Sequence, residues 1–173
     1  MPTGTPAESE YAPYYARYVS MVTGDDALFA LEGQRDEVAR LLAAVPEARE
    51  TFRYAEGKWS VRQVFGHLID AERVFGYRAF CIGRGEQAAL PSFDQNAYVT
   101  ESRYAELPLQ ELGRELLAAR ELNLVALRRL GAEAWLRRGT ASDKPVSVRA
   151  VGFIMAGHLR YHAGILRERY GIG

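Results

Sequence analysis

Four long stretches of the chain repeat apolar residues at intervals of three and four, the spacing of one buried face on an α-helix. No pair of segments alternates convincingly with the period of two that a half-buried strand requires. The pattern predicts an all-α domain, a four-helix bundle. The first helix is expected over about 25–44, on Leu28, Leu31, Val38, Leu41, Leu42 and Val45, with Asp25 or Asp26 as its cap and Pro46 just beyond its end. The second opens at Ser60, with Gln63 three residues on as the other half of a capping box, and stops near Gly83 and Gly85. The third starts at Pro108 and ends near Gly131; Asn123 falls on its apolar seam and needs a hydrogen-bond partner if buried. The fourth runs over about 147–170 and carries His158, Tyr161 and His162 on an otherwise apolar face.

The remaining segments fit around this frame. Residues 1–10 read as a flexible N-terminal tail, and 11–173 as a single domain, which 173 residues suffice to build. Tyr11, Tyr14, Tyr15, Tyr18, Val19 and Val22 predict a short amphipathic helix from Pro13, lying across the end or side of the body or burying a dimer seam. Residues 84–106 are long for a bundle connection, and are either a crossover or a lid over a site. Trp59, just before the second helix, fits a hydrophobic staple with Val64 or Phe65.

Charge and cysteine content narrow the function. The 22 basic and 22 acidic residues cancel, so nothing global favours nucleic acid or an anionic membrane surface. The single cysteine, Cys81, excludes an internal disulfide and a Cys-rich zinc knuckle and fits a reducing cytoplasm. It reads as a small core residue. The first residues lack the basic and apolar regions of a signal peptide, and no run of about 18 apolar residues offers a membrane span. A cytoplasmic protein is expected.

The chemistry rests on the histidines, of which the chain has three. His158 and His162 are four apart on one helix, so their rings share a face and converge on one borderline ion such as zinc or nickel. His67 sits mid-helix with Val64, Ala71 and Val74 as its periodic neighbours, which turns it toward the interior. Three neutral imidazoles leave an ion's charge uncancelled, so that it acidifies a bound water or holds a substrate thiol as thiolate. The competing reading is a set of core histidines bonded to protein acceptors. Leu159 stands where a His-Glu-x-x-His protease has its glutamate, so that route to peptide hydrolysis is absent. Asp70 and Glu72 are the acids nearest His67. Either supports a ring nitrogen or carries a proton, or else forms a solvated face or an ion pair with Arg73, the reading favoured for Asp70. Tyr161 either lines the cavity as a catalytic neighbour of His162 or packs as an aromatic; Arg160 reads as solvent-facing.

Three blocks of sequence are similar to those of one family. GKWSVRQVFGHLIDAERVFGYRAF (57–80), LPSFDQNAYV (90–99) and AGHLRYHAGILRERY (156–170) resemble, in order, the signatures of the DinB-like superfamily, which includes the YfiT-type metal-dependent hydrolases. The likeness runs from about residue 11 onward. It implies an up-up-down-down bundle with a long crossover over 84–106, a homodimer, and nickel or zinc on His67, His158 and His162 with water completing the shell. Relatives often carry a second histidine where Tyr161 stands, and glutamate where Leu159 stands. Some members resemble thiol S-transferases or isomerases dependent on a low-molecular-weight thiol. The resemblance therefore implies a metal-assisted transfer of such a thiol to a small electrophilic molecule, with metal-dependent hydrolysis or simple metal and small-molecule binding as the alternatives. DNA binding does not follow from the family's name.

Overall fold

The structure, a computed structural model, describes residues 4–24 and 26–172. Its helices are α1 (Ala16–Val19), α2 (Ala27–Ala43), α3 (Val61–Gly83), α4 (Gln95–Glu101), α5 (Leu109–Arg128), α6 (Ala132–Leu136) and α7 (Val148–Tyr170), and strands β1 (Arg138–Ala141) and β2 (Lys144–Ser147) lie between α6 and α7. The four long helices, α2, α3, α5 and α7, are the four expected.

Their ends obey local chemistry. The Asp26 carboxylate accepts from the Leu28 and Phe29 amides and starts α2; Asp25, the alternative cap, lies outside the described residues. Ser60 and Gln63 form the reciprocal capping box of α3. Ser147 caps α7 through the Ala150 amide, and Gly171, at φ 65°, ends it in the left-handed conformation that glycine adopts without strain.

The helices pack as a ring, α2 on α5, α5 on α3, α3 on α7 and α7 on α2. Residue pairings set their directions. Glu32 meets Arg128 while Leu42 crowds Gly113, so α2 and α5 are antiparallel. Gly76 abuts Asn123 and Gly83 abuts Leu130, so α3 and α5 run parallel. Gly152 lies against Ala27 and Arg160 pairs with Glu37, so α7 is parallel to α2. The sense is up-down-down-up, which corrects the expected up-up-down-down order. Parallel neighbours need a connection that returns along the bundle. The segment after α3 makes that return, from Gly83 back to Tyr104, whose ring covers Gly66 near the start of α3.

Two other expectations need revision, and one is met. A strand pair exists: β1 and β2 form a hairpin, joined by Ser142 and Asp143 at φ 53° and 59°. Positive φ at both central residues is the geometry of a type I′ turn. Leu90 of the crossover bonds to Thr140 and Ser142 of that hairpin. The N-terminal tail is anchored at Glu10, which is buried and held by Ser147 and Arg149; residues 1–3 lie outside the described residues. The aromatic N-terminal segment is a 3-10 turn (Pro13–Tyr15) leading into α1, which packs along α7. No helix among the described residues is long and apolar enough to cross a membrane.

Apolar side chains gather in two clusters, one around Leu31, Phe75, Phe153 and Ile154, the other around Phe65, Leu112, Leu116 and Leu166. Between them runs a polar layer. Gln34 donates to the Ala156 carbonyl (2.6 Å) and accepts from Arg120 (2.7 Å). Arg120 in turn grips both oxygens of Glu72, each at 2.8 Å. The three histidines lie on the α3–α7 side of the bundle.

Candidate metal centre

His67 comes from the middle of α3, and His158 and His162 from successive turns of α7, which crosses α3 antiparallel. One ligand atom from each falls within 4.8 Å of the other two. The Nε2 atoms of His67 and His158 face each other at 3.1 Å. Nitrogens bound about 2.0–2.1 Å from one tetrahedral ion stand roughly 3.3 Å apart, so this pair is spaced to share one. His67 and His158 are buried and His162 is half-buried.

Electrostatics favour the ligating form. Burial lowers His67 to a pKa of about 4, and burial followed by the neighbouring His67 lowers His162 to about 3. His158 is pushed well below the usual histidine range, by burial first and then by His162, His67 and Arg120. All three rings are neutral at pH 7 and offer a lone pair. The residues fit a divalent ion, and the cluster is capable of holding one. His67 Nδ1 is buried without a hydrogen-bond partner, and the Trp59 indole lies 4.8 Å from that ring. Trp59 also packs against the cluster that contains Val64 and Phe65.

The other candidates fall into place around the histidines. The Glu72 carboxylate accepts two bonds from Arg120 and one from Asn123, which gives Asn123 the partner its position requires. Asp70 accepts from the Tyr104 hydroxyl (2.7 Å) and does not pair with Arg73, which instead reaches Glu115. Tyr161 packs edge-on to Tyr18 and His162. Arg160 is half-buried and pairs with Glu37 at 3.0 Å. Cys81 packs beside the first apolar cluster.

A cavity of about 220 Å³ reaches the centre. His67 and His158 line it, with the rings of Tyr14, Tyr15, Tyr18, Phe75 and Phe93 and the polar groups of Arg78, Gln95 and Ser142. A larger groove between α2 and α7 is lined by none of the three histidines. Sequence reasoning missed Tyr18, which lies edge-on to His158 with ring centroids 5.2 Å apart, and Phe75, at 5.6 Å from the same ring. It also missed Arg78. Arg78 falls on the face of Phe75 and Ile82, a signal available in the spacing but masked by the assumption that arginines face solvent. The crossover acts as wall as well as connection, since Phe93 and Gln95 belong to it.

A helical bundle with three imidazoles converging between two of its helices defines a class of metal-binding bundles. Residues 30–166 match the model of the DinB superfamily, and the chain belongs to that superfamily. Its fold is similar to that of YfiT from Bacillus subtilis, a probable metal-dependent hydrolase with an unusual four-helix bundle topology. The TM-score is 0.74 at 18% identity, over 97% of this chain and 94% of that one. A mycothiol-dependent maleylpyruvate isomerase is similar over 80% of this chain and 58% of its own, with TM-score 0.66 and 17% identity. A histidine-to-alanine mutant of that isomerase gives 0.68 and 16%, over 85% and 60%. At these identities the likeness is one of fold. No curated protein matches the chain in sequence.

Proposed function

We propose that the chain is a metal-dependent enzyme that joins a low-molecular-weight thiol to a small electrophilic molecule, with nickel or zinc held by His67, His158 and His162. The observation that carries this reading is the make-up of the cavity wall: it has two of the three histidines and no carboxylate. An ion on these imidazoles would acidify a water as well as a thiol, but hydrolysis is helped further by a carboxylate that carries the water's proton to the leaving group. Glu72, the acid expected to fill that role, has both oxygens engaged by Arg120. Thiol transfer has less need of such a carboxylate, because a thiol starts far more acidic than water and a cation beside it would have a smaller shift to make.

The chain's own residues do the rest. The imidazoles, neutral at pH 7, leave the site's positive charge uncancelled for the sulfur. Tyr18 and Phe75 cover His158 and limit water around it. The thiol proton leaves to solvent, the sulfur lone pair forms a C–S bond to the electrophilic carbon, and the departing group takes its bonding pair. Glu72 and Tyr161 act in this reading as positioning residues, Glu72 by fixing Arg120 in the polar layer and Tyr161 by packing on His162. The related isomerase that depends on mycothiol adds support at the level of chemistry. The working unit is a homodimer in the cytoplasm, and the exposed Tyr77, Phe80 and Leu122 of α3 and α5 form its contact.

The test incubates zinc- or nickel-loaded protein with a bimane electrophile and several thiols, beside a chromogenic ester without thiol. The reading expects thiol-dependent conjugation above the uncatalysed rate, lost in His158→Ala. Ester hydrolysis that is independent of thiol and lost in the same variant would select the hydrolase alternative.

A further inference from the structure

Arg78 is a buried cation with too few partners. It is 3% exposed, yet no acid lies within ion-pair distance among the described residues. Its Nη2 donates to the Pro91 carbonyl and the Ser142 hydroxyl, each at 2.8 Å. Its Nε is buried without an acceptor. A buried charge normally ends up paired, because the lost hydration of an unpaired one is not made good. A lone guanidinium inside a protein therefore calls for a ligand or a function. Tethering the crossover to the hairpin uses one nitrogen and a neutral bond at each end, work for which glutamine or serine would do.

Arg78 lines the cavity that reaches the histidines. The Phe75 ring joins the two places: its centroid is 6.0 Å from the Arg78 guanidinium carbon and 5.6 Å from that of His158. Arg78 is the one cavity residue with a fixed charge. The other walls are mostly aromatic rings, which favour a flat apolar body. The volume, about 220 Å³, is below the range of about 300–1,000 Å³ typical of drug-sized ligands. One guanidinium matches one carboxylate; the wall offers no lysine and no second arginine for a phosphate dianion.

We infer that Arg78 is a specificity residue that binds the carboxylate of a small, flat substrate and holds the rest of it over the histidine centre. This deepens the function proposed above, and rests on it, by naming the substrate class.

The experiment uses metal-free protein, so that its result is separate from whether the histidines bind metal or catalyse. Benzoate and its neutral isostere benzamide are titrated by calorimetry at pH 7, and the Arg78 Nε–H resonance is followed by NMR. Benzoate is expected to bind about tenfold tighter, the margin of a charge-assisted over a neutral hydrogen bond. The Nε–H resonance moves with benzoate alone. Arg78→Gln abolishes the preference, whereas Ser142→Ala, which loosens the tether and keeps the charge, retains it. Equal binding of the two probes, binding of neither, or an Nε–H resonance indifferent to benzoate overturns the inference. The NMR readout on the unaltered protein decides the question even if Arg78→Gln fails to fold.

Discussion

The three histidines are bases kept neutral by burial, which suits them to hold a metal ion and also makes them an acid-sensitive element. In the unfolded chain each ring titrates near 6.5, whereas in the fold His67 and His162 titrate near 4 and 3. Between those values the unfolded state binds more protons. Their contribution to stability is therefore complete above pH 6.5 and is lost as pH falls through that window. Thermal melts of metal-free protein are expected to show a falling midpoint from pH 7 to 4.5, and a flat profile would contradict neutral burial. Glu72 makes a second residue-level prediction. Removing it in Glu72→Ala leaves Arg120 buried and unpaired, and should cost about 3–5 kcal/mol in urea unfolding. Loss of activity at undiminished stability would instead make Glu72 a proton carrier. The His-x3-His pair and the inward His67 were legible in the sequence because helical periodicity alone puts them on the α3–α7 interface. Arg78 and Tyr18 were not, since their importance comes from what a remote segment lays beside them.

At the scale of elements, α1 against α7 is the contact on which the cavity depends. Gly157 permits it: a Cβ there would stand 1.8 Å from the Tyr18 carbonyl oxygen. Gly157→Ala is expected to push α1 off α7, uncover His158 and destabilise the fold by about 1–3 kcal/mol, as overpacking does. A chemical denaturation curve unchanged from the parent would show that α1 is not seated there. The four long helices were readable because their caps and apolar stripes agree. The hairpin was hidden by its turn, where Ser142 and Asp143 adopt a positive φ that Asn-Gly would have advertised. The sense of the helices was hidden as well. The length of 84–106 marks a crossover, but only the contacts of Tyr104 with Gly66 and Asp70 fix where it lands.

For the whole molecule, a polar layer crosses the bundle between two apolar clusters, and His67 and His158 open from its α3–α7 side into an aromatic cavity. The outer face of α3 and α5 presents Tyr77, Phe80 and Leu122, with Leu122 72% exposed. If that face joins two copies, Leu122→Glu should halve the mass measured by light scattering while leaving helicity unchanged; a mass of one chain in the parent protein would remove the dimer. Whether the histidines hold an ion is answered by elemental analysis of protein purified without an affinity tag. One nickel or zinc per chain is expected, lost in His67→Ala and in His158→Ala with the fold intact. No stoichiometric metal, even after reconstitution with several divalent ions, would contradict it and leave the histidines as buried polar residues of the core.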